Sequence, residues 1–294
     1  MPQLLTPAVY LRAGLAEEEE AVESARRFPT FTSRVEVPPG SLAFCRYSAL
    51  PYNGELCRDL ELLGSRCANS EREHAYAANF DYYQDFKDAT FPSWDRLQDV
   101  PSWARSGPLV VKGRANSRKQ EWLKKMFAPN FLAASLIASE LMCDPLIGPQ
   151  GVIARQYVPL ESFETALSGM PLANEWRCFY LGGERVCHGY YWGQIDDWSK
   201  VDAARPDFET HGLPFADELG RRASSGITFC AIDVAKTQDG RWMMVELNDG
   251  NMSGLNGSIS AADLYGGIES VLARRPDLLH AGSLPKPARR GARP

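Results

Sequence analysis

Short apolar runs, separated by polar segments that contain Gly and Pro, recur along the chain. Runs with the length and composition of buried strands lie at residues 42–47, 109–112 and 152–158. Segments with the spacing or capping residues of helices lie at 53–63, 120–127, 130–143 and 261–272. Strands and helices therefore alternate in the first part of the chain, as in an α/β lobe.

Two further segments near the N-terminus have helical features. Residues 16–27 are acidic and then basic, which suits an exposed helix with a solvated outer face. Asn69-Ser70 can cap a second helix, which we expect to carry Tyr76, Phe80 and Tyr83.

Two turn dipeptides separate pairs of strands later in the chain. Gly182-Gly183 joins 175–181 to 185–192, and Asp239-Gly240 joins 227–235 to 242–247. The second part of the chain is therefore predicted to be α+β, with antiparallel hairpins.

The register of the second hairpin brings two carboxylates together. A two-residue turn pairs Asp233 with Glu246, and alternation puts Asn248 on the same face. Like charges directly opposite each other are destabilising, so the pair needs a cation. That cation is either a neighbouring Lys or Arg or a metal, and two carboxylates with an amide oxygen suit Mg²⁺. The apolar flanking residues are expected to face a core: Ile232, Val234, Val245 and Leu247.

Several cations lie where they could meet an anion. In the first hairpin, the turn places Arg177 opposite His188, and the planar guanidinium suits a phosphate or a carboxylate. Glu175 is expected opposite Tyr190. Arg155 is surrounded by apolar residues, and a partly buried arginine needs an anionic partner, either a ligand or an acidic side chain.

Lys112 ends a strand and precedes the basic loop 113–119, which contains Arg118 and Lys119. Such a lysine can reach phosphates as a point charge, and the adjacent Gly lets the backbone approach closely. The alternative is a solvated basic turn, and the P-loop pattern is absent.

Composition and charge narrow the class of protein. The 294 residues allow about two domains, and the net charge of −5 argues against the basic surface of a nucleic-acid-binding protein. Seven scattered Cys residues suggest reduced core thiols, and four His residues argue against a multi-histidine metal centre. The start has no signal-peptide pattern, and the longest apolar stretch is shorter than the roughly 20 residues of a membrane span. We expect a cytoplasmic protein without a membrane segment.

The order of these motifs resembles that of the ATP-grasp superfamily. Asp233, Glu246 and Asn248 stand in AIDVAKTQDGRWMMVELNDG, which looks like the metal-binding hairpin of that family. Upstream, LVVKGRANSRK, IARQYVPLE and NEWRCFYLGG follow in the order of the family's lysine strand, adenine hinge and subsequent strand. The resemblance covers roughly residues 106–272 and is closest to the small ATP-grasp domain proteins of phages and bacteria.

The resemblance implies an ATP-grasp fold with an N-terminal α/β lobe and two α+β subdomains that enclose the nucleotide. The implied boundaries are 1–105 for the lobe, 106–160 for the small subdomain, 161–280 for the large subdomain and 281–294 for a flexible basic tail.

The resemblance also implies a role for each candidate residue. The metal ligands would be Asp233, Glu246 and Asn248. The nucleotide would be bound by Lys112, Arg118, Lys119, the hinge Gln156, Tyr157 and Val158, and Glu161. The catalytic cations would be Arg177, Arg155 and Lys112. Family members often carry an arginine where this chain has Ala231, so that role is expected to have moved to Arg155 or Arg177.

Two of these assignments have ordinary alternatives. The hinge segment could be a core strand, and Glu161 could be a charge at a helix N-terminus.

The implied activity is an Mg-ATP-dependent ligase. A small-molecule, amino-acid or peptide carboxylate would be activated as an acylphosphate and then attacked by an amine or a similar nucleophile. The alternatives are a kinase that stops at phosphoryl transfer and a non-catalytic nucleotide-binding or protein-interaction module.

Overall fold

The computed structural model describes residues 4–12, 14, 18–47, 54–255 and 257–280. The predicted helix start at Asn53 and the predicted tail 281–294 lie outside the described residues. No helix among the described residues has the length and apolar character needed to cross a bilayer.

The N-terminal lobe is built on a parallel four-stranded sheet of order β2-β1-β3-β4. All six residues of β3 are buried, as expected for a parallel strand that is covered on both faces. This agrees with the predicted α/β lobe. The elements are β1 (Thr6–Leu11), α1 (Glu18–Arg27), β2 (Thr30–Phe31), β3 (Ser41–Arg46), α2 (Gly54–Leu62) and β4 (Arg66–Cys67).

The prediction that α1 is merely a solvated helix is wrong, because one of its acidic residues is buried. Glu20 is 1% exposed and accepts a hydrogen bond from Arg46 Nε at 2.6 Å. The hydroxyl of Tyr265 also donates to Glu20, at 3.0 Å. The buried pair thus joins α1 to β3 and to the C-terminal helix.

Helix α3 (Glu71–Ala78) begins at a capping box in which Ser70 accepts from the Glu73 N–H and Glu73 accepts from the Ser70 N–H. The cap was predicted, but the helix is shorter than expected. Phe80 has a left-handed backbone (φ 64°), so it and Tyr83 lie beyond the helix.

A second, antiparallel sheet has the order β5-β8-β6-β7 and is covered by α6. Only four residues of the predicted helix 120–127 form α5, and Phe127 belongs to a strand instead. The elements are β5 (Ser93–Trp94), α4 (Ser102–Arg105), β6 (Leu109–Gly113), α5 (Trp122–Lys125), β7 (Phe127–Ala128), α6 (Phe131–Met142) and β8 (Val152–Gln156).

A third sheet, antiparallel and of order β12-β11-β13-β14, is the centre of the molecule. One face packs on α7 and α8, where the Trp176 ring stacks on Phe208 at 4.1 Å, and the other face packs on α9 and the N-terminal lobe. A two-stranded sheet of β9 and β10 precedes it.

The bounds of these elements are β9 (Ser162–Thr165), β10 (Pro171–Ala173), β11 (Glu175–Leu181), β12 (Glu184–Tyr190), α7 (Trp198–Asp207), α8 (Leu213–Ala223), β13 (Phe229–Lys236), β14 (Trp242–Asp249) and α9 (Ala261–Arg274).

The first hairpin turns at Gly182-Gly183, as predicted, but its register is not the predicted one. A bulge between Phe179 and Tyr180 shifts the pairing by one residue. Arg177 therefore lies opposite Gly189 rather than His188, and Tyr190 lies opposite Trp176 rather than Glu175.

The second hairpin pairs Asp233 with Glu246, as predicted, but by a different route. Its loop has three residues, with Gly240 left-handed (φ 87°) and Thr237 facing Arg241, where a two-residue turn was expected. A bulge at Val245 then restores the expected register towards the strand end.

The bulge also corrects the predicted position of Val245. The bulged residue is turned out of the core and is half-buried, while Met244 occupies the core in its place.

Candidate active site

Two adjoining cavities lie along strands β6, β8, β11 and β14. The first, which we call the hinge cavity, has a volume of about 110 Å³ and contains the predicted hinge segment 156–158 in its wall. The second, which we call the loop cavity, has a volume of about 280 Å³ and is bordered by helix α3 and the loop 249–254. Glu246, Ser117 and Lys119 line both cavities and so stand between them.

The hairpin carboxylates lie at this boundary and are buried. Asp233 is 0% exposed and Glu246 is 9% exposed. Glu246 and Asn248 line the loop cavity, as the alternation of β14 requires. The predicted face with two carboxylates and one amide is thus present.

Each carboxylate is paired with a cation from another strand. Lys112 Nζ, on β6, lies 2.6 Å from Glu246 Oε1. Arg177, on β11, donates Nε and Nη2 to the two oxygens of Asp233, both at 2.8 Å. Arg177 Nη1 also donates to the Gly254 carbonyl at 3.1 Å. The structure therefore brings two of the predicted cations into direct contact with the two predicted metal carboxylates.

Arg155 lies in the wall of the hinge cavity and is 6% exposed. Its Nη1 donates to the Val245 carbonyl at 2.5 Å and its Nε to Ser93 Oγ at 3.1 Å. Its Nη2 is buried without a hydrogen-bond partner among the described residues. A buried donor without a partner is costly, so this nitrogen marks a place for an anionic or acceptor ligand.

Residues 98–268, more than half of the chain, match the model of an ATP-grasp domain family, the third family of its clade. The chain belongs to this family. The predicted family and fold class are confirmed, and with them the class of ATP-dependent ligase that uses Mg-ATP. No curated protein sequence matches the chain.

Solved structures share the ATP-grasp fold over nearly the whole chain. The ATP-grasp ligase PsnB, complexed with minimal precursor, Mg and ADP, aligns with a TM-score of 0.53 at 11% identity, over 92% of this chain and 98% of that chain. D-alanyl-alanine synthetase A from Vibrio cholerae aligns with a TM-score of 0.53 at 12% identity (94% and 99%). D-cycloserine synthetase DcsG aligns with a TM-score of 0.54 at 13% identity (90% and 99%).

In this ATP-grasp chain the hinge segment is partly committed to its own sheet. Gln156, Tyr157 and Val158 all line the hinge cavity. The Gln156 N–H donates to the Pro92 carbonyl at 2.8 Å, and the Tyr157 N–H donates to the Pro108 carbonyl at 3.1 Å. These two donors are therefore used by the protein, and a base in the cavity would have to be read by other backbone groups.

The basic loop contributes one of its two predicted cations. Lys119 lines both cavities, donates to the Tyr191 hydroxyl, and lies over the rings of Tyr191 and Trp192 at 4.2 and 5.0 Å. Arg118 is instead paired with Asp144 and lines neither cavity.

Glu161 also lies outside both cavities. Its carboxylate is 3.6 Å from Lys236 Nζ, and its side chain is 40% exposed. The structure therefore brings together neither Arg118 nor Glu161 with the other predicted site residues.

The sequence analysis missed Glu175 as a site residue. Glu175 lines the hinge cavity and is 4% exposed, and burial raises its pKa to about 7. The negative charges of Asp233 and Glu246 act in the same direction, against Lys119 and Arg177. Only the predicted hairpin register bore on this residue, and that register was wrong.

The sequence analysis also missed the contribution of the N-terminal lobe. His74, on α3, lines the loop cavity, and its Nδ1 lies 2.8 Å from Asp249 Oδ2. Asn69 Nδ2 and the Asn251 N–H donate to Asp249 Oδ1 at 2.6 and 2.8 Å. Because His74 is far from Asp249 along the chain, no local pattern could have indicated this pair.

The donor set fits Mg²⁺. Two carboxylates and an amide oxygen are hard ligands, and Mg²⁺ is typically held by one or two carboxylates together with substrate phosphates. Burial opposes the ionisation of Glu246, but Lys112 first, and then Lys119 and Arg155, hold its pKa below the usual value. Glu246 is therefore an ionised ligand at neutral pH.

Proposed function

We propose that this ATP-grasp protein is a carboxylate–amine ligase, or a carboxylate–nucleophile ligase, that acts through an acylphosphate. The observation that carries the proposal is the pair of adjoining cavities with Glu246 at their boundary. The hinge cavity would take the nucleotide, and the loop cavity would take the carboxylate and the nucleophile.

The proposed roles follow from position. Asp233, Glu246 and Asn248 would hold Mg²⁺, which when bound neutralises phosphate charge. Tyr157 and Val158 would contact the base at the wall of the hinge cavity.

The cations would act on the phosphates and the acylphosphate. Lys112 and Arg155 both line the hinge cavity next to Glu246, and Arg177 lines the loop cavity. Fixed cations that lie where negative charge develops during phosphoryl transfer lower the barrier, and little side-chain base chemistry is needed for this step. The carboxylate would attack the γ-phosphorus, and ADP would leave.

The nucleophile would then enter through the loop cavity. Its attack on the acyl carbon releases inorganic phosphate. The volume of about 280 Å³ suits an amino-acid-sized acceptor or the end of a peptide. His74 and Asp249, in the wall of this cavity, lie where the nucleophile would bind.

The test is incubation with Mg-ATP and a panel of amino acids and short peptides, with hydroxylamine present in a parallel reaction. A ligase releases ADP and phosphate and yields a hydroxamate, because hydroxylamine traps an acylphosphate. A kinase yields ADP and a stable phosphorylated product without free phosphate, and a non-catalytic module yields no acceptor-dependent ADP.

Variants connect the activity to the site. Glu246→Gln should lose at least about tenfold in Mg-ATP affinity or turnover, while Glu140→Gln, an exposed glutamate of α6, should not change either. Unchanged Mg-ATP binding and turnover in Glu246→Gln would show that the metal assignment is wrong.

A further inference from the structure

Both proposed metal carboxylates are engaged by cations of the chain, but in different ways. Arg177 holds Asp233 through two nitrogens and is itself anchored to the Gly254 carbonyl. Lys112 holds Glu246 through a single contact between Nζ and Oε1. A lysine has a flexible stem and one compact charge, whereas the arginine fork is pre-organised. Of the two pairs, the lysine pair is therefore the one that can exchange partners.

We propose that Lys112 makes the metal site selective for the metal–nucleotide complex over the free divalent cation. Lys112 and the metal compete for Glu246, and nucleotide phosphates relieve the competition by offering Lys112 another anion. This inference rests on the proposed Mg-ATP site and adds the residue that couples the two ligands.

The charges around Glu246 support the competition. Lys112 and Glu246 are nearly buried, with side-chain exposures of 9% and 12%, so water screens their interaction weakly. Lys119 and Arg155 also act on Glu246. A dication entering beside these three cations without added negative charge meets strong repulsion.

The other two cations are restrained where they are. Lys119 is held by the Tyr191 hydroxyl and by the Tyr191 and Trp192 rings. Arg155 is held by the Val245 carbonyl and by Ser93. Lys112 also lines the hinge cavity, where the phosphates of a bound nucleotide would lie within its reach. Lys112 is thus the cation that can respond to the nucleotide.

The inference predicts effects of opposite sign on two ligands. Removing the Lys112 charge should strengthen the binding of the metal alone and weaken the binding of nucleotide. A lysine that merely bound phosphate would weaken nucleotide binding without improving metal binding. A lysine that merely supported the fold would improve neither.

The test uses Mn²⁺, which takes the same oxygen ligands and is detected by electron paramagnetic resonance, with and without AMPPNP. Wild-type protein should bind Mn²⁺ about 10- to 100-fold more tightly with AMPPNP than without it, within the usual range of coupling. Lys112→Met should bind Mn²⁺ alone at least about tenfold more tightly than wild type, and its coupling should shrink by the same factor.

Three controls make the result specific. Lys112→Gln should behave like Lys112→Met, which covers a folding defect in one variant, and circular dichroism checks both. Lys112→Met with Glu246→Gln should lose the gained Mn²⁺ site. Lys125→Met, which removes a surface lysine paired with Glu121 at 3.0 Å, should bind Mn²⁺ like wild type.

Two results would overturn the inference. One is folded Lys112 variants that bind Mn²⁺ alone no more tightly than wild type, while AMPPNP binding to wild type is intact; this leaves the proposed function standing. The other is wild-type protein that binds no AMPPNP at all, which would overturn the proposed function as well.

Discussion

Glu175 should make the stability of this protein depend on pH in a way that one substitution removes. Burial raises the pKa of Glu175 from 4.5 to about 7, so its neutral form is favoured in the folded chain. The charged groups that face it are Lys119 before α5, Arg177 on the same strand, Asp233 on β13 and Glu246 on β14. Glu175→Gln keeps the shape and removes the titration.

The magnitude follows from linkage. At about 1.36 kcal/mol for each pKa unit, the rise costs the folded state about 3 kcal/mol once Glu175 is ionised in both states. An acid with a raised pKa is least costly below its unfolded pKa, and the cost grows as pH rises from 4.5 to about 7. The same relation leaves only about 1 kcal/mol of this cost at pH 5. Glu175→Gln should therefore gain about 2 kcal/mol more at pH 8 than at pH 5.

Urea unfolding, followed by tryptophan fluorescence at the two pH values, measures this difference. The comparison of one variant with wild type cancels the pH dependence of all other groups and any constant effect of the amide. Glu140→Gln, an exposed glutamate, should give the same difference from wild type at both pH values. A Glu175→Gln gain that is equal at pH 5 and pH 8 would refute the reasoning.

Two further predictions concern the packing around the site. In α9, a Cβ on Gly267 would lie 2.2 Å from the Val186 carbonyl oxygen, whereas one on Gly266 would meet only a side chain at 3.4 Å. Gly267→Ala should thus lower the free energy of unfolding by about 1–3 kcal/mol, while Gly266→Ala should raise it by up to about 1 kcal/mol. Thermal and urea unfolding check the pair, and equal effects would contradict the packing argument. Arg46→Met should cost about 3–5 kcal/mol because it leaves Glu20 buried without a cation. Adding Glu20→Gln should recover part of that loss, and strictly additive costs would refute the coupling.

The two hairpins show how far local patterns predict the site. Turn residues indicated both hairpins because a tight turn requires particular backbone angles, and those depend on neighbouring residues alone. A bulge depends on packing against other strands and leaves no comparable signal. In the second hairpin the longer loop and the bulge cancel, so the pairing of Asp233 with Glu246 is correct. In the first hairpin one bulge is enough to shift Arg177.

The same distinction separates the confirmed elements from the missed ones. The Ser70 cap and strand β11 follow from residues close together in the chain. The burial of Glu20 does not, because its partner Arg46 lies on a strand that only the fold brings alongside α1. Acidic residues at a helix start are usually solvated, and the local pattern could indicate no more than that.

By itself, the sequence determined the family, the order of the elements and the face that carries Asp233, Glu246 and Asn248. These depend on short-range spacing and on residue chemistry. The tertiary structure alone decided that Lys112 contacts Glu246, that Arg118 and Glu161 lie outside the cavities, and that Glu175 is buried beside the site. Each of these depends on the distance between charges on separate strands and on how far water is excluded from them. Both quantities arise only when the sheets pack together.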